Sequence, residues 1–289
     1  HIINAFQAAL RLVSSGAVSF FILFGGSMQA QAVIEHIVNW LKDYAAQARA
    51  KGFVIGISGG IDSAVVSILA AKTGLPTLLL ELPIRQQADQ VSRAQLHMQQ
   101  LQQRFEHVSA ARVDLTPTFN QFASDNEVDG KEFANKNLAL ANARSRLRMV
   151  TLYYYGQLHG LLVTGTGNKI EDFGVGFFTK YGDGGVDLSP IADLTKTQVY
   201  ELAAALEVDV SIQKAVPTDG LWDEERTDEQ QMGATYPELE WAMSVYPDHT
   251  AADFSGREQE VFQIYDRLHR AMQHKVNPIP VCVIPAALL

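Results

Sequence analysis

Short apolar runs alternate with amphipathic helical segments along most of this sequence, and this alternation is the feature that most constrains the fold. The first run, residues 53–57, is unbroken, which is typical of a parallel strand buried on both faces. Similar runs lie at 78–82, 111–115 and 161–165, with helical periodicity at 32–45, 64–72, 88–103, 131–159 and 195–206. The sequence therefore predicts an α/β fold built on a doubly wound parallel sheet.

The segment that joins the first strand to its helix reads Ser58-Gly59-Gly60-Ile61-Asp62-Ser63. Glycines let a ligand approach the backbone closely, and the start of a helix offers unpaired N–H groups to an anion. The serine hydroxyls can add donors, and Asp62 can hold a magnesium ion. A simpler interpretation is a tight turn in which Asp62 or Ser63 caps the helix. That interpretation explains one polar residue but not the combination.

Other nucleotide-binding motifs do not fit this loop. A Walker motif needs a lysine before its Ser or Thr, and the dinucleotide-binding G-x-G-x-x-G pattern is absent. Two further segments, 165–190 and 218–233, are long for loops without regular structure, so we expect each to be either disordered or functional. The first is rich in Gly and Asp and leaves little room for a regular element.

Charge and cysteine content narrow the functional classes. A net charge of -9 argues against a surface that lies along nucleic acid or an anionic membrane. The single cysteine, Cys282, cannot form an internal disulfide, which favours a reducing compartment and the cytoplasm. Residues 1–27 contain an apolar run at 17–24 that is too short to span a bilayer, and a signal peptide is the alternative. We interpret 1–27 as a non-native leader and 28–289 as one domain that begins at Met28.

The glycine loop resembles the SGGxDS pyrophosphate loop of the ATP pyrophosphatases, a superfamily that includes NAD synthetase, GMP synthetase, asparagine synthetase and tRNA-thiolating enzymes. This resemblance implies a Rossmann-like fold of the adenine nucleotide alpha-hydrolase type. From about Gly52 to Lys275 the chain looks like NAD synthetase. The motifs that carry the resemblance lie at 143–149, 165–171, 176–187, 190–196, 216–221 and 274–275.

The resemblance also implies site residues. ATP is expected at Gly56, Ile57, Ser58, Gly59, Gly60, Ile61, Asp62, Ser63, Thr166, Lys196 and Thr218. The dinucleotide deamido-NAD is expected at Arg146, Lys180, Asp187, His274 and Lys275, although helical spacing leaves Arg144 and Arg148 open as alternatives to Arg146. Magnesium is expected at Asp62 and Glu171, and Asp62 and Lys196 are expected to be catalytic. Taken singly, these residues would more often be caps, surface charges or loop acids.

The reaction implied by the resemblance is the ATP-dependent amidation of deamido-NAD to NAD through an adenylated nicotinate, with release of pyrophosphate and AMP. Glutamine-dependent members carry an additional amidase domain with a catalytic cysteine. Since only about 50 residues precede the loop strand and the one cysteine is Cys282, we expect the nitrogen source to be free ammonia, or ammonia delivered by a separate protein. The family also implies a homodimer, with the segments 165–190 and 218–233 closing over the ligands.

Two alternatives remain open. Another SGGxDS ATP pyrophosphatase, GMP-synthetase-like or tRNA-thiolating, would share the first loop, although the tRNA enzymes call for basic surface or thiol chemistry. A catalytically inactive nucleotide-binding regulator is the other. The presence of both Asp62 and Glu171 argues against it.

Overall fold

The sheet has four parallel strands. A computed structural model of the chain describes residues 28–86, 88–127, 133–222 and 226–289, so the interpretation of 1–27 as a leader lies outside the described residues. The strands are β1 (Gly52–Gly56), β2 (Thr77–Glu81), β3 (Val108–Arg112) and β4 (Leu161–Val163), in the order β3-β2-β1-β4. Phe53 of β1 lies opposite Thr77 of β2 and Leu162 of β4, and all the pairs are parallel. The predicted α/β class and parallel sheet are confirmed.

Helices cover both faces of this sheet, because the central strands β1 and β2 are buried on both sides. The helices are α1 (Ala30–Gln47), α2 (Ile61–Ala71), α3 (Ala88–Arg104), α4 (Thr116–Asp125), α5 (Lys136–His159), α6 (Lys196–Ala205), α7 (Val210–Gln213), α8 (Asp228–Met232), α9 (Tyr236–Val245) and α10 (Gly256–Val276), with 3₁₀ turns at Ala251–Asp253 and Ala286–Leu288. Phe53 and Ile55 pack against α1, α2 and α6, whereas Val54 packs against α4 and α5. Successive strand residues therefore serve opposite layers, as the pleat requires.

The third strand lies earlier than the sequence predicts. The expected run was 111–115, whereas β3 spans Val108–Arg112 and exposes Ser109 and Arg112. An edge strand has only one neighbour, so its hydrophobic signal is weak. Val113 and Leu115 follow the strand and donate N–H bonds to Glu81 and Pro83, and Leu115 is buried among the residues beneath α4.

The two segments expected to lack regular structure contain short helices. A π-helical turn spans Ile170–Val175, and α8 occupies part of 218–233 with a capping box between Thr227 and Gln230. Both elements pack with α9 and α10 around a second core that includes Ile170, Val175 and Tyr265. They are too short to show a period in the sequence, so the expectation that 165–190 leaves little room for a regular element was wrong at 170–175. Across the described residues, no helix has the length and apolar character that a bilayer crossing requires.

Candidate active site

The loop after β1 is held in shape by its own residues. Gly59 has φ +82°, and a Cβ at this position would lie 2.6 Å from the Gln90 carbonyl oxygen of α3. Only glycine fits such a position without strain. The Ser58 and Ser63 hydroxyls lie 3.1 Å apart, Gly60 N–H donates to Ser58 Oγ at 3.2 Å, and Ser63 Oγ donates to the Gly60 carbonyl at 3.0 Å. Both serines therefore brace the turn from within.

The start of α2 fits an anion better than it fits a simple cap. Gly60 occupies the N-cap position, and no side chain caps this helix start. The interpretation of Asp62 or Ser63 as a capping residue is therefore wrong. The first N–H groups of a helix have no intrahelical acceptor, and this helix begins shortly after β1, at the carboxyl edge of the sheet. The cleft at this edge is lined by residues that the sequence nominated for ATP: Gly56, Ile57, Ser58, Asp62, Ser63, Thr166 and Thr218, together with Glu171.

An ion cluster lies beside the loop. Lys196 Nζ, at the start of α6, lies 2.7 Å from Asp62 Oδ2 and 3.2 Å from Glu171 Oε1. Asn168 Nδ2 donates to Asp62 Oδ1 at 3.2 Å, while Asn168 Oδ1 accepts the N–H groups of Ile170 and Glu171. The fold thus brings together three predicted residues that are far apart in the chain, and Asn168 fixes two of them.

Acidic side chains outnumber basic ones in and around this cluster. Burial lowers the pKa of Lys196, but Asp62 and Glu171 outweigh it and leave the pKa raised, so the ammonium stays charged. Burial raises the pKa of Glu171, with Lys196 opposing. Burial and the neighbouring Glu171 raise the pKa of Asp172 to about 8 and that of Asp228 to about 7. Such a carboxylate excess is what a bound cation would relieve.

The donor set suits magnesium completed by a phosphate ligand. Asp62 and Glu171 already converge on one cation, and both offer hard oxygen atoms. Among the residues that the structure describes, no group of three or more His, Cys, Asp or Glu side chains is arranged to hold a metal. A magnesium ion at Asp62 and Glu171 would therefore need oxygens from ATP and water for its remaining positions.

The residues predicted for deamido-NAD lie outside the cleft. Arg146 donates to the Lys180 carbonyl at 3.2 Å, Lys180 Nζ donates to the His274 carbonyl, and Lys275 Nζ donates to the Phe178 carbonyl. In this structure these cations thus donate to backbone carbonyls. Asp187 contacts different partners: its Oδ2 accepts Val163 N–H at 2.8 Å.

The other two arginines of this motif also hold the active-site segments. Arg144 is buried and donates to the Leu221 carbonyl at 2.6 Å. Arg148 lines the cleft and donates to Leu82 and Gln86. Of the three arginines, Arg146 is the one that donates to the Lys180 carbonyl. Its assignment to the dinucleotide stays a prediction.

Some residues at this site were missed by the sequence reasoning. Tyr236 donates to Glu171 Oε1 at 2.6 Å and lies 3.2 Å from Asp228 Oδ2. Gln90 donates to Thr218 Oγ1 at 2.9 Å and so joins α3 to the segment 218–233. Asn168 stood inside a motif and follows a buried strand, which is a usable signal. Tyr236 and Asp228 begin short helices far along the chain, and nothing local marks them.

Comparison with known proteins identifies the family of this chain. Residues 33–278 match the family model described as NAD synthase. The chain is 36% identical over 252 residues to an NH(3)-dependent NAD(+) synthetase of Mesoplasma florum, covering 86% of this chain and 96% of that one. A protein of the same name from Syntrophomonas wolfei is 37% identical over 262 residues, covering 90% and 99%. The structure of NMN synthetase from Francisella tularensis superposes with a TM-score of 0.76 at 33% identity, covering 90% and 99%. The sheet, the glycine loop and these relatives together establish that the chain belongs to the NAD synthase family.

Proposed function

We propose that this chain is a C–N ligase that amidates deamido-NAD to NAD with ammonia, at the expense of ATP. The observation that carries the proposal is the Asp62–Lys196–Glu171 cluster beside the open glycine loop, in a chain of this family. The relatives described above are named as ammonia-dependent. The other SGGxDS enzymes and an inactive regulator have no such support.

The chemistry needs two displacements. A nicotinate carboxylate oxygen attacks the α-phosphorus of ATP, and the bond from that phosphorus to the bridging oxygen of pyrophosphate breaks. The ammonia nitrogen then attacks the carbonyl carbon of the mixed anhydride, the bond to the AMP oxygen breaks, and the nitrogen loses a proton to give the amide. The free carboxylate resists ammonia because oxide is a poor leaving group, and adenylation removes that obstacle.

The protein's part is to position the reactants and to stabilise charge. The N–H groups at the start of α2 hold the departing pyrophosphate, and Lys196 offsets its charge. Asp62 and Glu171 would hold magnesium, which supplies further positive charge to the phosphate oxygens when bound. Thr166 and Thr218 line the same cleft and can donate to phosphate or ribose.

A mononucleotide acceptor is the second candidate. The Francisella relative is named an NMN synthetase, so nicotinate mononucleotide is the acceptor that its name suggests. In the present structure Arg146, Lys180 and Lys275 hold backbone carbonyls and do not line the cleft. A mononucleotide has no second nucleotide, so its binding would not require these three cations.

One assay separates these functions. Pyrophosphate release and the mass of the amidated product are measured with deamido-NAD and with nicotinate mononucleotide, each with ammonium chloride or glutamine. We expect deamido-NAD with ammonium to give a higher kcat/KM than nicotinate mononucleotide with ammonium. A higher value with nicotinate mononucleotide would select the second candidate, whereas ATP binding without turnover of either acceptor would indicate an inactive regulator.

We also propose that the protein is a homodimer and that it is located in the cytoplasm. The location is inferred from the single cysteine. Helix α5 exposes Val150, Tyr154 and Leu158, spaced four residues apart and therefore on one stripe. Tyr153 of the same helix donates to Asp187 Oδ1 at 3.1 Å, so the stripe lies next to a predicted substrate residue. Light scattering should give about twice the 31.8 kDa of one chain.

A further inference from the structure

The ion cluster depends on a residue from outside the sheet. The Tyr236 hydroxyl oxygen lies 2.6 Å from Glu171 Oε1 and 3.2 Å from Asp228 Oδ2. A phenol has one hydrogen to donate, and the shorter distance assigns it to Glu171. Glu171 Oε1 therefore receives both the Tyr236 hydroxyl and the Lys196 ammonium, which lies 3.2 Å away.

The ring of Tyr236 is fixed in place. Its side chain is buried in the second core, and its backbone N–H donates to Glu229 Oε1 at 3.1 Å. It is the first residue of α9, whose start is closed by a capping box between Thr235 and Glu238. The hydroxyl oxygen of a ring packed in this way has a fixed position.

The same ring also contacts the cation of the cluster. Lys196 Nζ lies 4.7 Å from the centre of the Tyr236 ring, so the face of the ring meets the ammonium while its hydroxyl meets Glu171. Because Oε1 of Glu171 receives two donors, the rotation of this carboxylate is restricted. A carboxylate that must hold a metal is tuned by such a neighbour.

We propose that Tyr236 is a positioning residue that holds Glu171 in the orientation in which it binds magnesium with Asp62. The inference rests on the proposed function for its purpose, but its test does not need turnover. Tyr236 is not among the residues that line the cleft. It acts through Glu171.

The test is the substitution Tyr236→Phe, which keeps the ring, its packing and its contact with Lys196, and removes only the hydroxyl. The melting temperature is measured with ATP and no acceptor at increasing Mg²⁺. The readout is the Mg²⁺ concentration that gives half of the ATP-dependent rise in melting temperature. We expect this midpoint to increase roughly 10- to 100-fold, the usual effect of losing a residue that orients a metal ligand.

A control variant isolates the contact. Tyr246→Phe removes the hydroxyl of another tyrosine that packs against the second core and donates to Asp266 at 2.7 Å. It should leave the midpoint unchanged.

A double-mutant cycle decides whether Tyr236 acts through Glu171. In the Glu171→Gln background, Tyr236→Phe should have no further effect on the Mg²⁺ midpoint. A midpoint within twofold of wild type in Tyr236→Phe, or an equal shift in both backgrounds, would overturn the proposal and leave Tyr236 as a core residue. Amidation of deamido-NAD by the wild-type enzyme is scored separately, so a failure of the proposed function is distinguishable from a failure of this inference.

Discussion

At the scale of single residues, the site depends on compensated charge. Asp62 and Glu171 share Lys196, which is almost fully buried with a side-chain exposure of 3%. A buried cation without its carboxylates would be costly, and so would the carboxylates without a cation. The cluster is therefore a structural unit, and under the proposed function it would also hold a phosphate-bound cation.

Replacing Asp62 by Asn should separate these two roles. The amide keeps the shape and can still accept from Asn168, so we expect the fold to survive. Magnesium-dependent pyrophosphate release should fall by roughly 10²- to 10³-fold, as when one charge-stabilising group is removed from an active site. Asp193→Asn, which removes an exposed carboxylate paired with Lys169, is the matched control and should leave the rate unchanged. Unfolding of Asp62→Asn would mean that the position is structural.

At the scale of elements, the glycine loop is shaped by the helix packed against it. The carbonyl of Gln90 and the backbone of Ala94, both in α3, leave no room for a side chain on Gly59. The same helix contacts α2 through His97, whose Nε2 lies 2.8 Å from Ser67 Oγ. Ser67 Oγ donates to the Ala64 carbonyl, so the Nε2–H of a neutral His97 donates to Ser67. Helix α3 therefore contacts both the loop and the adjoining core.

Gly59→Ala should lower the free energy of unfolding by more than an ordinary glycine substitution does. Gly74 provides the control, because its φ is +77° but a Cβ there would meet nothing within 4 Å. Gly74→Ala should lose about 1 kcal/mol of unfolding free energy from its backbone conformation alone. Gly59→Ala adds a clash with Gln90, so we expect a larger loss and a raised KM for ATP. Urea unfolding and steady-state kinetics measure the two effects, and equal losses in both variants would show that the loop tolerates a side chain.

His97 should make the fold sensitive to mild acid. Burial, with a smaller contribution from Arg104, lowers the pKa of His97 from 6.5 to about 4, against the opposing charge of Asp209. The folded state keeps the ring neutral while the unfolded chain takes up a proton. The stability from this group is therefore complete above pH 6.5 and is lost as the pH falls toward 4. At pH 5 the loss should be about 2 kcal/mol.

The measurement for His97 is urea unfolding of wild type and His97→Gln at pH 7 and pH 5. The difference in unfolding free energy between the two proteins should shrink at pH 5, since glutamine does not titrate. His36→Gln, at an exposed position of α1, is the control and should follow wild type. A wild-type stability that depends on pH no more steeply than that of His97→Gln would contradict the assignment of a neutral buried ring.

At the scale of the whole molecule, two cores meet at the site. The sheet and its helices supply Asp62 and Lys196, while the second core, formed by the π-helical turn, α8, α9 and α10, supplies Glu171 and Tyr236. The carboxylates of the cluster thus come from different parts of the molecule. Their alignment depends on how the second core packs against α6.

The proposed dimer makes a prediction at this scale. Tyr154→Glu places a charge in the middle of the exposed α5 stripe, and burying a charge in an interface is unfavourable. We expect the mass by light scattering to fall from dimer to monomer, with the melting temperature of the monomer little changed. Leu96→Glu alters an exposed leucine on α3 and should remain dimeric. A dimer that persists in Tyr154→Glu would place the interface elsewhere.

The sequence by itself determined the sheet class, the strand that carries the loop, and Asp62 within it, because these depend on contiguous residues and on local backbone chemistry. The buried run at 53–57 differs from β1 by only one residue, whereas the edge strand β3 was displaced because it lacks a second neighbour. Only the tertiary structure decided that Tyr236 and Asp228 meet Glu171 and that Arg146 and Lys180 hold backbone carbonyls. Those contacts join residues far apart in the chain, and packing of the two cores, which no local pattern encodes, sets which side chains converge.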